Sequence, residues 1–171
     1  MKRRILFVPG KLPYVRGERP KVDCILCAVL RDDPRVDRLV LARDRSVFVT
    51  LNLYPYNPGH VMVVPRRHIV DPREATESER RAMALWRDRV MDALDEIYSP
   101  AGYNIGYNVG KRSGASLEHL HLHVVPRYKN EIGFLDVLSG TRVIVEEPGV
   151  SARKISGFLR KYRGGTKEKK R

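Results

Sequence analysis

The sequence contains few of the features that mark secreted or membrane-bound proteins. It has two cysteines among 171 residues, Cys24 and Cys27, and only two residues separate them. This spacing argues against a secreted disulfide framework and favours a metal-binding or redox pair. No window approaches the roughly 18 consecutive apolar residues that a membrane helix needs, and the apolar run at 5–8 is too short for a signal peptide. We therefore predict a cytoplasmic protein without a membrane partner.

The chain is also too short for two ordinary domains joined by a linker. Its 42% hydrophobic and 31% charged residues are typical of a folded soluble domain. We predict an N-terminal extension at 1–19, one domain at 20–150, and a C-terminal helix with a basic tail at 151–171. The formal net charge of +13 favours anionic ligands, but it is compatible with a nucleotide ligand, a nucleic acid or simple solubility.

The apolar pattern predicts an α+β fold with an antiparallel sheet of about five strands, because the strand-like runs follow one another without alternating with helices. An apolar stripe at spacings of three and four residues, from Met83 to Ile97, predicts one long helix. Thr76 and Glu79 form a capping box at its start, and Ser151 is the expected cap of a short C-terminal helix. The predicted strands are 38–43, 46–52, 61–65, 103–109 and 118–127, and the predicted helices are 76–98 and 151–162.

Three histidines alternate with apolar residues near the end of the predicted sheet. In a strand of period two, His119, His121 and His123 all lie on one face. They could be a polar strand face whose histidines only form hydrogen bonds, or a metal site with three histidine ligands. Same-face neighbours on a strand are about 6.6–6.8 Å apart, so three of them line a groove better than they surround one ion.

The segment H-L-H-L-H-V-V at 119–125 resembles the signature of the histidine triad (HIT) family of nucleotidyl hydrolases and transferases. Asn108-Val109-Gly110, with Gly114 and Ser116, is similar to the phosphate-binding loop of that family. Pro58-Gly59-His60 and residues 63–68 resemble its strand-turn-strand unit. The resemblance covers roughly residues 20–130 and identifies the predicted domain at 20–150 as a HIT domain. Segments 52–60 and 133–143, with Glu118, are most similar to its diadenosine tetraphosphate phosphorylase branch.

The resemblance implies a function and the residues that perform it. Family members cleave adenosine-type nucleoside and dinucleoside polyphosphates at the α-phosphate through a covalent nucleotidyl-histidine, which water or phosphate then releases. It implies an adenosine nucleotide or diadenosine polyphosphate as substrate, a homodimer, and no organic cofactor. The implied catalytic residues are His121 as nucleophile, His123 as donor to an α-phosphate oxygen, and His119. The implied nucleotide-binding residues are Asn52 for the ribose and Asn108, Gly114 and Ser116 for the phosphates.

The same resemblance implies a structural zinc ion. Cys24 and Cys27, together with His68 and His119, make a Cys₂His₂ set that some members of the family use for zinc. Two alternatives remain open. One is a general HIT hydrolase of nucleoside phosphoramidates or dinucleotides. The other, from a different class, is a basic zinc-stabilised module that binds nucleic acid; its binding would fall steeply with salt and survive loss of His121. We favour the enzyme, expect no nucleic-acid partner, and interpret His60 as structural.

Overall fold

The predicted strands form one antiparallel sheet in the computed structural model, which describes residues 20–113, 117–129 and 146–162. The sheet has five strands in the order β1-β2-β3-β5-β4, and every neighbouring pair is antiparallel. This confirms the predicted α+β architecture. The strands are β1 (Val40–Arg43), β2 (Val47–Leu51), β3 (Val61–Pro65), β4 (Gly102–Gly106) and β5 (Leu122–Arg127).

Three α-helices accompany the sheet in the described residues: α1 (Ile25–Leu30), α2 (Glu77–Tyr98) and α3 (Pro148–Leu159). The start of α2 is the predicted capping box, since the Thr76 side chain accepts from the Glu79 amide and the Glu79 side chain accepts from the Thr76 amide. The helix ends at Ser99, which adopts the left-handed conformation with φ of 46°. Pro100 follows and cannot continue the helix.

The two faces of the sheet are covered differently. Helices α2 and α3 close one face with an apolar core, to which β5 contributes Leu122 and Val124. The short helix α1 packs on the other face, over Phe48 of β2 and Met62 of β3. Because side chains alternate along a strand, His123 lies on this second face, beyond the area that α1 covers.

Several predicted boundaries differ from the structure by a few residues, and two of these differences have a local reason. The strand predicted over 118–127 begins only at Leu122, because the Leu120 amide donates to the carbonyl of Ile69 (2.6 Å) and leaves the sheet. The C-terminal helix begins at Pro148, with Glu147 as its cap residue. Ser151 is therefore not the cap, and its hydroxyl donates to the Glu146 carboxylate (2.6 Å).

Some predicted features fall outside the described residues. These are the extension at 1–19, residues 163–171 of the basic tail, the segment 133–143, and Gly114 and Ser116 of the predicted phosphate loop. Within the described part of the chain, none of the helices combines the length and apolar character that crossing a bilayer requires.

Candidate functional site

The three histidines at 119–123 divide between two places. The rings of His121 and His123 lie edge to face, with 4.6 Å between their centroids. The ring of His119 instead packs against His68, at 4.8 Å. His119 and His121 precede β5, so the prediction that all three imidazoles share one strand face is wrong. The departure of Leu120 from the sheet is what turns His119 away from its two neighbours.

His121 is held in one tautomer by the backbone. Its Nδ1 lies 2.6 Å from the carbonyl oxygen of His119. A carbonyl can only accept, so Nδ1 carries the proton and donates, and the neutral ring keeps its lone pair on Nε2. Burial lowers the pKa of His121 below its ordinary value of 6.5, so the ring is neutral at pH 7. The geometry therefore supplies a neutral imidazole with a nucleophilic Nε2.

His123 is fixed by a chain of two hydrogen bonds that begins at a backbone amide. The Tyr56 N–H donates to His60 Nδ1 (3.2 Å), so the proton of neutral His60 is on Nε2. That Nε2–H donates to His123 Nδ1 (2.9 Å). Neutral His123 must then carry its own proton on Nε2. Among the described residues, this buried Nε2 has no hydrogen-bond partner, so it is a donor available to a ligand.

Burial keeps this pair uncharged at physiological pH. Burial, with contributions from the neighbouring His123 and His121, lowers the pKa of His60 to about 3. It also lowers the pKa of His123 to about 4, with a contribution from His121. At pH 7 His123 therefore offers a neutral N–H rather than an imidazolium charge, and the hydrogen bond from His60 fixes its tautomer.

His60 and Tyr56 are the site residues that sequence reasoning missed. We interpreted His60 as structural, whereas it is fully buried and bonded to His123. The signal available was Pro58-Gly59-His60: Gly59 has a φ of 81°, and a Cβ there would lie 2.9 Å from Leu94 Cδ2, so only glycine fits this turn. The Tyr56 ring stacks on His60 with 5.0 Å between centroids, a contact that the sequence does not reveal.

A separate cluster contains both cysteines and two histidines. Cys24, Cys27, His68 and His119 bring their potential ligand atoms within 4.8 Å of one another. Cys24 is the residue that caps α1, and its Sγ accepts from the Cys27 amide (3.4 Å), which brings the two thiols to the same end of the helix. The four residues predicted as metal ligands thus lie together, away from His121 Nε2.

The spacing within this cluster fits a tetrahedral ion. His119 Nδ1 lies 3.4 Å from Cys24 Sγ and 3.5 Å from Cys27 Sγ, and His68 Nδ1 lies 3.4 Å from Cys27 Sγ. With Zn–S of about 2.3 Å and Zn–N of about 2.05 Å, the S···N edge of a tetrahedron is about 3.6 Å. Three of the six separations therefore match the edges of a tetrahedral Cys₂His₂ site, and all four ligand atoms lie within 4.8 Å of one another.

The protonation of His119 also suits a ligand. Its Nε2–H donates to the carbonyl of Pro65 (2.9 Å), which leaves the Nδ1 lone pair directed at the thiols. Burial lowers its pKa to about 4, so the ring is neutral. Burial and the neighbouring Cys24 raise the pKa of the Cys27 thiol to about 11, and a cation in the cluster would reverse that shift by stabilising thiolates.

A groove runs over β4 and β5 beside His123. It has a volume of about 380 Å³, within the range of roughly 300–1,000 Å³ for small-molecule sites. Asn108, predicted to bind phosphate, lines this groove together with His123. Its lining residues are Tyr56, Asn104, Ile105, Gly106, Tyr107, Asn108, His123, Val125 and Arg127.

Asn52, the predicted ribose ligand, lies at the base of the 52–60 loop. Its Oδ1 accepts from the Tyr54 amide (3.0 Å), and its backbone amide donates to the His60 carbonyl (2.9 Å). The loop that holds His60 and Tyr56 is therefore closed by Asn52. Its role toward a ribose remains a prediction, as do the roles of Gly114 and Ser116.

A HIT domain model matches residues 33–130. The chain belongs to the HIT domain family. The match includes His60, the histidines at 119–123 and Asn108, and it lies inside the predicted domain at 20–150. Of the four residues in the cysteine and histidine cluster, it includes His68 and His119.

Curated relatives and a solved structure resemble this HIT-domain chain. An AP-4-A phosphorylase from Mycobacterium tuberculosis is 41% identical over 107 residues, which are 62% of this chain and 55% of that protein. A bis(5'-nucleosyl)-tetraphosphatase (asymmetrical) from Schizosaccharomyces pombe is 31% identical over 99 residues, 58% of this chain and 54% of that protein. The chain thus spans about half the length of each.

Among solved structures, a zinc-bound histidine triad family protein from Mycobacterium smegmatis has a TM-score of 0.67 and 27% identity. The similarity covers 82% of this chain and 95% of that one.

Proposed function

We propose that this HIT-domain protein is a nucleotidyl hydrolase or transferase that cleaves adenosine-type dinucleoside polyphosphates at the α-phosphate. The observation that carries the proposal is the fixed pair of tautomers: His121 has a lone pair on Nε2, and the adjacent His123 has a proton on Nε2 without a partner among the described residues. One is suited to attack phosphorus and the other to donate to a phosphate oxygen. The two named relatives act, by their names, on substrates of this class.

The first half-reaction forms a phosphorus–nitrogen bond. His121 Nε2 attacks the α-phosphorus, the anhydride P–O bond breaks, and the remaining nucleoside polyphosphate leaves with the bonding electron pair. His123 Nε2–H donates to a non-bridging α-phosphate oxygen and stabilises the charge that develops there. Asn108, Gly114 and Ser116 are the proposed further phosphate ligands, and Asn52 is the proposed ribose ligand. His119 acts by position only, since its carbonyl holds His121 Nδ1–H.

The second half-reaction replaces the His121 bond with a bond to an oxygen acceptor. Water as acceptor gives AMP, whereas inorganic phosphate gives ADP, and in both cases His121 regains its lone pair. The phosphorylase name of one relative supports phosphate, and the tetraphosphatase name of the other supports water. Both outcomes use the same covalent nucleotidyl-histidine.

Product analysis tests the proposal. Diadenosine tetraphosphate is incubated with the full chain, with and without inorganic phosphate, and the nucleotides are separated. Phosphorolysis gives ADP and ATP only when phosphate is present, whereas hydrolysis gives AMP and ATP in both samples. An intact dinucleotide in both samples, with purified and folded protein, would overturn the proposed activity.

Zinc is the metal that we propose for the cluster of Cys24, Cys27, His68 and His119. The tetrahedral separations and the Pro65 hydrogen bond support it, as does the zinc named for the Mycobacterium smegmatis structure. A closed set of four protein ligands supplies folding free energy rather than chemistry. Zinc there would tie α1 to the segment that precedes β5.

A homodimer is the proposed assembly. Strand β4 is an edge of the sheet, and Ile105 there and Val109 just after it are exposed at 41% and 42%. An apolar edge strand is stabilised when a second copy continues the sheet across a two-fold axis. Light scattering at micromolar concentration should give twice the 19.7 kDa mass of one chain. A mass of one chain would contradict this prediction.

A further inference from the structure

We propose that the groove over β4 and β5 is the subsite for the leaving nucleoside polyphosphate and for the incoming acceptor. Arg127 is the residue in this groove that favours phosphate groups over neutral water. The inference rests on the proposed function and concerns the part of the substrate beyond the α-phosphate. It assigns a binding role to residues that the sequence motifs did not single out.

The groove leads directly away from the reactive histidines. His123, Val125 and Arg127 alternate along β5 and all line the groove, so they share one face of the sheet. On β4, Gly106 is opposite His123 and Asn104 is opposite Val125. Arg127 lies four residues beyond His123, about 13 Å along the strand. A chain of phosphates that starts at His123 can therefore extend toward Arg127 along one continuous surface.

The charges along this surface suit an anion. Within the described part of the chain, the groove is lined by neutral side chains and by the Arg127 guanidinium, and no aspartate or glutamate lines it. Arg127 Nη1 donates to the Asn104 side-chain oxygen, which directs the guanidinium across the groove toward β4. A planar guanidinium with several N–H groups is the side chain best suited to bind phosphate oxygens.

The floor of the groove is open opposite His123. A Cβ at Gly106 would meet nothing within 4 Å, so a larger side chain would fit the protein but would project into the groove. Tyr56 and Tyr107 also line it, with 52% and 39% of their surfaces exposed. Aromatic rings at the edge of a phosphate groove can stack with the second nucleobase.

The chemistry of displacement explains why one subsite serves two groups. In an in-line displacement the leaving oxygen departs on the side of phosphorus opposite His121 Nε2. The acceptor must attack the nucleotidyl-histidine from that same side, because it displaces the same nitrogen. Phosphate and nucleoside polyphosphate therefore pass through one place, and a cation there favours both over neutral water.

The test compares a ligand that reaches Arg127 with one that does not. In the His121→Asn background, which cannot turn over substrate, the affinities for diadenosine tetraphosphate and for AMP are measured by titration calorimetry. Arg127→Gln should weaken dinucleotide binding about tenfold and AMP binding less than twofold. Arg127→Lys should restore part of the loss. Arg160 is exposed and directly follows α3 on the opposite face of the sheet, so Arg160→Gln is the matched control and should change neither affinity.

A second variant tests the path by shape rather than charge. Gly106→Val adds volume to the groove without removing any hydrogen bond, and it should also weaken the dinucleotide more than AMP. Equal losses for both ligands with Arg127→Gln, or no loss for either, would overturn the subsite. The subsite would also be overturned if Gly106→Val, in the His121→Asn background, bound both ligands as tightly as His121→Asn alone.

Turnover separates this inference from the proposed function. If the wild-type chain does not cleave the dinucleotide but the binding pattern holds, the proposed activity is wrong and the subsite stands. If the wild-type chain cleaves it and Arg127→Gln slows adenosine 5'-phosphoramidate as much as the dinucleotide, the subsite is wrong and the activity stands. If the wild-type chain does not cleave the dinucleotide and the His121→Asn chain binds neither ligand, both are overturned.

Discussion

His119 and His121 are two residues apart but belong to two different groups of imidazoles, and the backbone bonds opposite nitrogens of their rings. The anchor end consists of His119 with Cys24, Cys27 and His68, and the reactive end consists of His121 with His123 and His60. At the anchor end a backbone carbonyl accepts from Nε2 and leaves Nδ1 for a metal. At the reactive end a carbonyl accepts from Nδ1 of His121 and leaves Nε2 for phosphorus. The nitrogen that the backbone occupies therefore decides what each ring can do.

The largest expected effect is a loss of turnover at the reactive end without a loss of stability at the anchor end. His121→Asn should lower turnover of diadenosine tetraphosphate by about 10⁴-fold or more, because the nucleophile is lost. Unfolding temperature and AMP affinity should stay close to wild type, since the cysteine cluster and the His60–His123 pair are intact. Steady-state rates, melting curves and AMP titration measure the three quantities. Turnover within tenfold of wild type would contradict the nucleophile.

Disrupting the anchor end should instead lower stability and leave nucleotide binding nearly unchanged. Cys24→Ser, or removal of metal with a chelator, should lower the free energy of unfolding by on the order of 3–5 kcal/mol, because a structural zinc site contributes directly to folding. Nucleotide affinity of the protein that remains folded should change little. Asp23→Ser is the matched control, since Asp23 is exposed and belongs to no part of the cluster.

Elemental analysis of protein purified without chelator provides the second measurement for this prediction. One zinc per chain is expected in the wild type and in Asp23→Ser, and less in Cys24→Ser. Absence of zinc from the wild type, together with a Cys24→Ser variant that melts like it, would return both cysteines to the role of small buried side chains.

A smaller effect is expected within the reactive end. His123→Ala should lower kcat by about 10²–10³-fold, the usual loss when one donor to a developing oxyanion is removed. The effect is smaller than for His121→Asn because attack remains possible. Pre-steady-state measurement of the first half-reaction locates the loss in bond formation. An unchanged rate of that step would exclude His123 as the donor.

The sequence was sufficient to predict the strands, the long helix and most members of the two groups, but not the place of His60 or the turn that separates His119 from His121 and His123. Alternation and helical spacing depend on neighbours along the chain, so the strands and α2 could be predicted. The hydrogen bond between Leu120 and Ile69, which turns His119 out of the strand, joins distant residues. The His60–His123 bond is also long-range. A motif such as Pro58-Gly59-His60 indicates a tight turn, but not which ring the histidine contacts.

The smallest expected effect is on the pH dependence of stability, and it comes from His60, the member of the reactive end that acts through His123. Its pKa is about 3 in the folded chain because burial disfavours the charged ring, and it is about 6.5 in the unfolded chain. Between these values the unfolded chain binds one more proton, so stability is full above about pH 6.5 and falls as the pH is lowered toward 3. The slope from this one group is about 1.4 kcal/mol per pH unit. His60→Asn should remove that share of the slope in urea unfolding between pH 4.5 and 6.5, whatever its effect at pH 7, because every other titrating group is common to both proteins. Equal slopes would mean that His60 takes up its proton in the folded chain as readily as in the unfolded chain, which would contradict the lowered pKa of the buried ring.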